Sequence, residues 1–133
     1  MKILFVCKYN RFRSRIAEAI FNKLNENPKN KAKSAGIIIG TTLDKKQVSA
    51  ANKIGINING KPQGISSKLL DWQNIIVIVA NDVPTSIFKN NSKYGKHIIV
   101  WNIPDTKTDK KDEIKKVIKL IDIKVRKFVN EIK

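Results

Sequence analysis

A chain of 133 residues, 41% of them apolar, has the length for one hydrophobic core and needs no crosslink to hold it. A single Cys excludes an intramolecular disulfide framework and a Cys-rich zinc site, a single His leaves little for a His-based metal site, and no apolar run approaches the roughly 20 residues of a membrane span. The 27 Lys and Arg against 11 Asp and Glu give a net charge of +16. Such an excess suits phosphate-rich partners, nucleic acid among them, and equally a solvated Lys-rich surface. The apolar opening of the chain is too short for a signal-peptide core and no small-residue cleavage site follows it, so a cytoplasmic protein is expected.

In chain order, segments of strand type alternate with segments of helix type. Residues 3–6 form a short continuous apolar run, as in a strand buried on both faces. Residues 14–25 read as a helix, with Ile16, Ala17, Ile20, Phe21 and Leu24 on one stripe and Pro28 closing the region. Residues 32–35 are a weak second strand stopped by Gly36, and 47–53 a short helix ended by Gly55. Residues 55–64 read as loop, broken by Gly60, Pro62 and Gly64, and 66–72 as another short helix. Residues 75–80, Ile-Ile-Val-Ile-Val-Ala, are the clearest strand; 84–88 open a helical turn and 98–101 a last strand. Residues 112–133 form a strong amphipathic helix, with Ile114, Val117, Ile118, Ile121, Val125, Phe128, Val129 and Ile132 at helical spacing.

This alternation predicts an α/β fold over residues 1–133: a single three-layer domain with a four-stranded parallel sheet and helices on both faces. Ligands of such sheets bind at the carboxyl ends of the strands, where the strand order reverses, so the loop after the first strand is the first candidate site. It reads Cys7-Lys8-Tyr9-Asn10-Arg11-Phe12-Arg13-Ser14. A Cys at a strand end, five intervening residues and then Arg-Ser at a helix start make an anion trap with a nucleophile at its base. The backbone N–H groups of a tight loop and of a helix N-terminus favour an anion, and the Arg13 guanidinium matches two phosphate oxygens. The same field favours the Cys7 thiolate, to which Ser14 can donate. Without that context Cys7 would read as a small buried hydrophobe.

These residues resemble a known family. Phe5-Val6-Cys7, Asn10, Arg13-Ser14 and Ala17-Glu18-Ala19 are similar to the N-terminal signature of low-molecular-weight protein tyrosine phosphatases, which have relatives adapted as arsenate reductases. Ser34-Ala35-Gly36 resembles the family's second-strand end, and Trp101-Asn102-Ile103-Pro104-Asp105 its acid loop. The resemblance implies Cys7 as the nucleophile that forms a cysteinyl-phosphate and Arg13 as the binder of the phosphoryl oxygens. It implies Asn10 as the holder of the strained loop, Ser14 as the hydroxyl on the thiolate, Ser34 as support for Asn10 and Asp105 as general acid. Lys8, Tyr9, Asn10, Arg11, Phe12, Arg13 and Ser14 together would form the phosphate-binding loop, with no metal and no cofactor. Asp105 also has a case of its own: it follows the last strand at the edge where Cys7 lies, and an aryl leaving group needs a proton donor opposite the nucleophile.

The sequence departs from the family in four places. Tyr9 stands where Gly is usual, Phe12 where many members have a second Cys, and Thr106-Lys107 where an aromatic pair often follows the acid; a His common near Gly60-Lys61-Pro62 is missing. Trp101 and Trp72 are expected in the core and His97 at the surface. Asn90-Asn91-Ser92 fits a glycosylation pattern that has no meaning in a cytoplasmic protein.

The expected activity is hydrolysis of phosphotyrosine proteins or small aryl phosphates, with phosphate-like anions bound in the loop. Arsenate reduction would need an external thiol, since the chain has no further Cys to relay electrons. A non-catalytic nucleic-acid or phosphopeptide binder is the third possibility, favoured by the charge but not by any nucleic-acid motif.

Overall fold

Strand β1 (Lys2–Cys7) is central in a parallel sheet of order β2-β1-β3-β4, with β2 (Lys31–Gly36) on one side and β3 (Ile75–Val79) then β4 (Ile98–Trp101) on the other. The computed structural model describes residues 1–89, 97–106 and 110–132, and the Asn90-Asn91-Ser92 pattern and Lys107 lie outside them. The helices are α1 (Arg13–Leu24), α2 (Lys45–Lys53), α3 (Ser67–Trp72), α4 (Ser86–Lys89) and α5 (Lys111–Ile132).

The continuous apolar runs of β1 and β3 are buried because both faces of the sheet are covered. Ile3 and Phe5 of β1 and Val77 and Val79 of β3 face α1, α2 and α5. Leu4, Val6, Ile76 and Ile78 pack on the other side with Leu69 of α3, Val83 and Phe88. The alternation follows the two-residue period of a strand. At the centre of the larger layer, Phe5 meets Phe21 and Trp101 at centroid distances of 6.0 and 5.9 Å, and Phe128 of α5 closes the cluster at 6.4 and 6.0 Å from Phe21 and Trp101. Among the described residues, no helix is long and apolar enough to cross a membrane.

The element boundaries shift little from the sequence expectation. Helix α2 begins at Lys45 because Asp44 caps it, accepting hydrogen bonds from the Lys46 and Gln47 N–H groups at 2.9 and 3.0 Å. Ser66 caps α3 in the same way, accepting from Leu69 N–H at 3.2 Å. Ser14, expected to open α1, lies inside it, and the helix has no side-chain cap. Trp72 is a correction: it is half-buried at the margin of the sheet, with the Lys33 ammonium 4.6 Å from its ring centroid, because it ends a short helix instead of entering a core layer. Trp101 is buried and His97 exposed, as expected.

The order 2-1-3-4 reverses direction at β1, so a crevice opens between the carboxyl ends of β1 and β3. Cys7 ends β1, Asp82 follows β3 and Asp105 follows β4, so topology alone brings the three to one edge. Because Phe5 is fully buried and ties β1 to α1 and to β4, Phe5→Ala is expected to cost about 3–5 kcal/mol of unfolding free energy, read from urea denaturation.

Candidate active site

Between β1 and α1 the chain turns sharply through residues 8–12. Asn10 makes the turn possible: it is the one non-glycine residue at positive φ (55°) among the described residues, a region Asn tolerates better than most side chains. Its side chain is fully buried and fully used. Oδ1 accepts from Gln63 N–H at 3.0 Å, and Nδ2 donates to Ser14 Oγ at 2.8 Å and to Ser34 Oγ at 2.9 Å.

The loop carbonyls are held from outside. Cys7 O and Lys8 O accept from Ile37 and Ile38 N–H at 3.1 and 2.9 Å, Asn10 O from Arg15 Nε at 2.8 Å, and Phe12 O from Ile16 N–H at 2.8 Å. In a trans peptide the N–H points opposite to the C=O. The N–H groups of Lys8, Tyr9, Arg11 and Arg13 therefore turn to the other side, toward the concavity. Arg15 braces the back of the loop; besides Asn10 O, it donates to the Asn59 and Lys61 carbonyls.

Tyr9 fits this turn without needing positive φ. The close backbone approach is supplied by glycine on the neighbouring chain: a Cβ on Gly36 would lie 2.6 Å from Tyr9 C and 2.7 Å from Asn10 N. The Tyr9 side chain sits half-exposed at the rim, with Lys8 Nζ 5.3 Å from its ring centroid.

The concavity is a cavity of about 90 Å³ lined by Cys7, Tyr9, Arg11, Phe12, Arg13, Gln47, Asp105 and Thr106. Cys7 Sγ lies 2.9 Å from Ser14 Oγ, and both are buried. Arg13 is 3% exposed, so its charge must be satisfied locally. Nη1 donates to Ile103 O at 3.0 Å, Nη2 to the Asp82 carboxylate at 3.0 and 3.3 Å, and Nε stands 4.0 Å from Asp105 Oδ1. These contacts fix the plane of the guanidinium at the cavity wall. Asp105 is itself half-exposed, and its Oδ1 accepts from Thr106 N–H at 2.9 Å.

The structure therefore brings Cys7, Arg13 and Asp105 to one cavity. Asn10, Ser14 and Ser34 lie behind it in one hydrogen-bonded cluster. Of the remaining loop residues, Tyr9, Arg11 and Phe12 line the cavity, whereas the Lys8 side chain reaches over the Tyr9 ring. Arg11 is anchored by Nε donating to Thr42 O at 2.6 Å. Among the described residues, no group of three or more His, Cys, Asp or Glu could hold a metal ion.

Residues 2–133 match the family model described as low molecular weight phosphotyrosine protein phosphatase. The chain belongs to this family. A search of curated protein sequences gave no match. Solved structures similar to it include a protein tyrosine phosphatase from Entamoeba histolytica (21% identity, 99% of this chain and 96% of that chain covered, TM-score 0.88). A Cys-to-Ser mutant of the YwlE arginine phosphatase with a phosphorylated active-site serine is also similar (18% identity, 98% and 95% covered, TM-score 0.87). An arsenate reductase from Archaeoglobus fulgidus shares 26% identity over 96% of this chain and 98% of its own, with a TM-score of 0.73. The family and its neighbours support phosphatase or arsenate reductase activity, and the fold is theirs.

Sequence reasoning missed several members of this phosphatase-family site. Asp82, the carboxylate on Arg13, is 69 residues away in sequence, and only its place after the clearest strand could have flagged it. Gln47 Nε2 donates to Thr106 Oγ1 at 2.9 Å, so the residue after the acid is a buried hydroxyl tied to α2 where relatives often carry an aromatic ring. Glu18 accepts from Ser34 Oγ–H at 2.6 Å. Burial raises the Glu18 pKa, opposed by the Ser34 hydrogen bond and by the charges of Arg15 and Lys33. Burial also lowers the Arg15 pKa, opposed by Glu18 and Cys7.

A carboxyl whose pKa is raised by folding binds its proton more tightly in the native state than in the unfolded chain. Its contribution to stability is present below the unfolded value and is lost as pH rises through the folded one. Glu18→Gln removes that loss. The stability of the variant relative to the parent is therefore expected to rise between about pH 4 and about pH 7, measured from urea midpoints at both ends of the range.

Proposed function

We propose that this chain is a protein tyrosine phosphatase that hydrolyses aryl phosphates through a cysteinyl-phosphate intermediate. The observation that carries the reading is the Cys7 sulfur at 2.9 Å from the Ser14 hydroxyl, in a cavity whose walls hold Arg13 and Asp105. The Cys7 thiolate attacks phosphorus, the bond from phosphorus to the phenolic oxygen breaks, and Asp105 protonates that oxygen. The loop N–H groups and Arg13 hold the three non-bridging oxygens, whose charge they stabilise most in the transition state. Asp105, now a carboxylate, takes a proton from water as the water attacks phosphorus. Phosphate forms, and the thiolate departs with Ser14 donating to it. A phosphorylated serine in place of the active-site Cys of the YwlE mutant supports a nucleophile at this position.

Leaving-group preference rests on the rim. Lys8 and Arg11 are cations beside the mouth, which disfavours a guanidinium and suits an uncharged ring. The ring of Tyr9 is the aromatic surface that replaces the pair missing after Asp105, stacking on the substrate phenyl group. Phosphotyrosine is accordingly favoured over phosphoarginine, the substrate class of the arginine phosphatase. Arsenate could enter the same loop as a phosphate isostere, but its reduction would draw on an external thiol. The proposed setting is the cytoplasm, with phosphotyrosine proteins as partners.

Assayed on phenyl phosphate and a phosphotyrosine peptide with a chelator present, the protein is expected to turn over both. Cys7→Ser should abolish turnover, and Asp105→Asn should lower kcat by about 10²–10⁴-fold. Undiminished turnover by Cys7→Ser, or arsenite release from arsenate and glutathione without any phosphatase activity, would overturn the reading. In the same assay Tyr9→Ala should raise KM for the phosphotyrosine peptide several-fold more than it lowers kcat. A phosphoarginine peptide turned over faster than the phosphotyrosine peptide would reverse the order of leaving groups.

A further inference from the structure

Asp105 is half-exposed on a segment that follows the edge strand β4, yet the chain is fastened on both sides of it. Before it, Ile103 O accepts from Asn81 N–H and from Arg13 Nη1, each at 3.0 Å. After it, the Thr106 hydroxyl accepts from Gln47 Nε2 at 2.9 Å, a bond that joins the acid segment to α2 across 59 residues of sequence. Thr106 also touches the acid itself, since its N–H donates to Asp105 Oδ1 at 2.9 Å. Gln47 stands on a fixed frame. Its N–H is on the Asp44 cap at 3.0 Å, Ala50 and Ala51 of the same helix are buried in the larger core layer, and Gln47 itself is 4% exposed. A buried amide that loses its partner is not rehydrated, so the bond to Thr106 is held.

We propose that Gln47 is a positioning residue for the general acid: through Thr106 it holds the Asp105 carboxyl where it protonates the leaving oxygen. The inference rests on the phosphatase reading above. In the first step the bond from phosphorus to the phenolic oxygen breaks, the electron pair stays on that oxygen and the Asp105 proton goes to it. In a protonated carboxyl the carbonyl oxygen is the better acceptor, so Thr106 N–H marks Oδ1 as that oxygen and leaves the proton on Oδ2. The placement of the Thr106 backbone therefore sets where the proton points. Gln47 and Thr106 line the same cavity as Cys7, Arg13 and Asp105, so the bond acts at the reacting end of the site. Errors of about 1 Å in such placement cost up to about 10²-fold in rate.

The leaving group separates this role from a structural one. A phenol ionises at about pH 10, so phenolate departs poorly without a proton. Dinitrophenolate is stable enough to depart as the anion. Slack in the acid therefore slows phenyl phosphate and spares dinitrophenyl phosphate, whereas damage to the loop, the thiolate or phosphate binding slows both alike. The test is kcat/KM for the two esters, a ratio that reports the step in which the phenol departs.

Gln47→Met keeps the length of the side chain and removes the amide. It is expected to lower kcat/KM about tenfold on phenyl phosphate and at most about twofold on dinitrophenyl phosphate. Thr106→Val removes the acceptor at nearly constant shape and should reproduce that selective loss, which keeps the inference testable if Gln47→Met folds poorly. Thr106→Ser restores the hydroxyl and should recover most of it. In an Asp105→Asn background, Gln47→Met is expected to cost phenyl phosphate at most about twofold. Equal losses on both esters, no loss on phenyl phosphate, or a full tenfold loss in the Asp105→Asn background would each overturn the proposal while leaving the phosphatase reading intact. A parent protein that turns over neither ester overturns that reading, and this inference with it. Circular dichroism of each variant controls for folding.

Discussion

The site depends on one buried amide. Asn10 holds a backbone conformation that most side chains avoid, and it persists because its own side chain makes three hydrogen bonds from a fully buried position. Those bonds tie three separate pieces of the chain to the turn: Ser14 on α1, Ser34 on β2 and the backbone at Gln63. A buried polar network with every group satisfied is rigid, because breaking any bond leaves an unpaired group in a low-dielectric interior. Loop shape, the convergence of its N–H groups and the approach of Ser14 to the Cys7 sulfur are consequences of that rigidity.

Around this turn, three guanidinium groups have three distinct structural roles. Arg13 is buried at the cavity wall and held by Asp82 and a carbonyl, so its plane is set before any anion arrives. Arg15 sits behind the loop and clamps backbone carbonyls. Arg11 stands at the rim, fastened to Thr42 O. Donors that need no rearrangement when an anion enters act more strongly than mobile ones, since the cost of orienting them is met during folding. The net charge of +16 thus has a structured component at the loop, where the stretch from Lys8 to Arg15 holds four basic residues and no acid. The rest is distributed over the chain.

What could be read from the sequence was contiguous in it. The eight residues from Cys7 to Ser14 lie in one turn, and the strand before them and helix after them have unmistakable periodicities, so local patterning carried both the element order and the heart of the site. Asp105 was legible because it sits just past the last strand. Asp82 and the Gln47–Thr106 pair were not, because each is joined to its partner only by the sheet order and by the packing of α2 against the acid loop. Glu18 was visible as part of a motif, but its bond to Ser34 crosses from α1 to β2. Trp72 was misjudged for a related reason: apolar character implies burial, yet the end of a short helix at the sheet margin offers only a lysine-covered surface.

By itself the sequence determined the α/β alternation, the strand-loop-helix phosphate-type turn with its Cys and Arg, and the absence of a second Cys. All of these follow from residue identity and short-range spacing, which fix backbone preferences and chemical inventory. Only the tertiary structure decided how Arg13 is held, that glycines at 36 and 40 make room for Tyr9, and that Asn10, Ser14 and Ser34 meet in one cluster behind Cys7. Those features arise from segments far apart in the chain meeting at the carboxyl edge of the sheet, where hydrogen-bond satisfaction and close packing select one arrangement that no local pattern encodes.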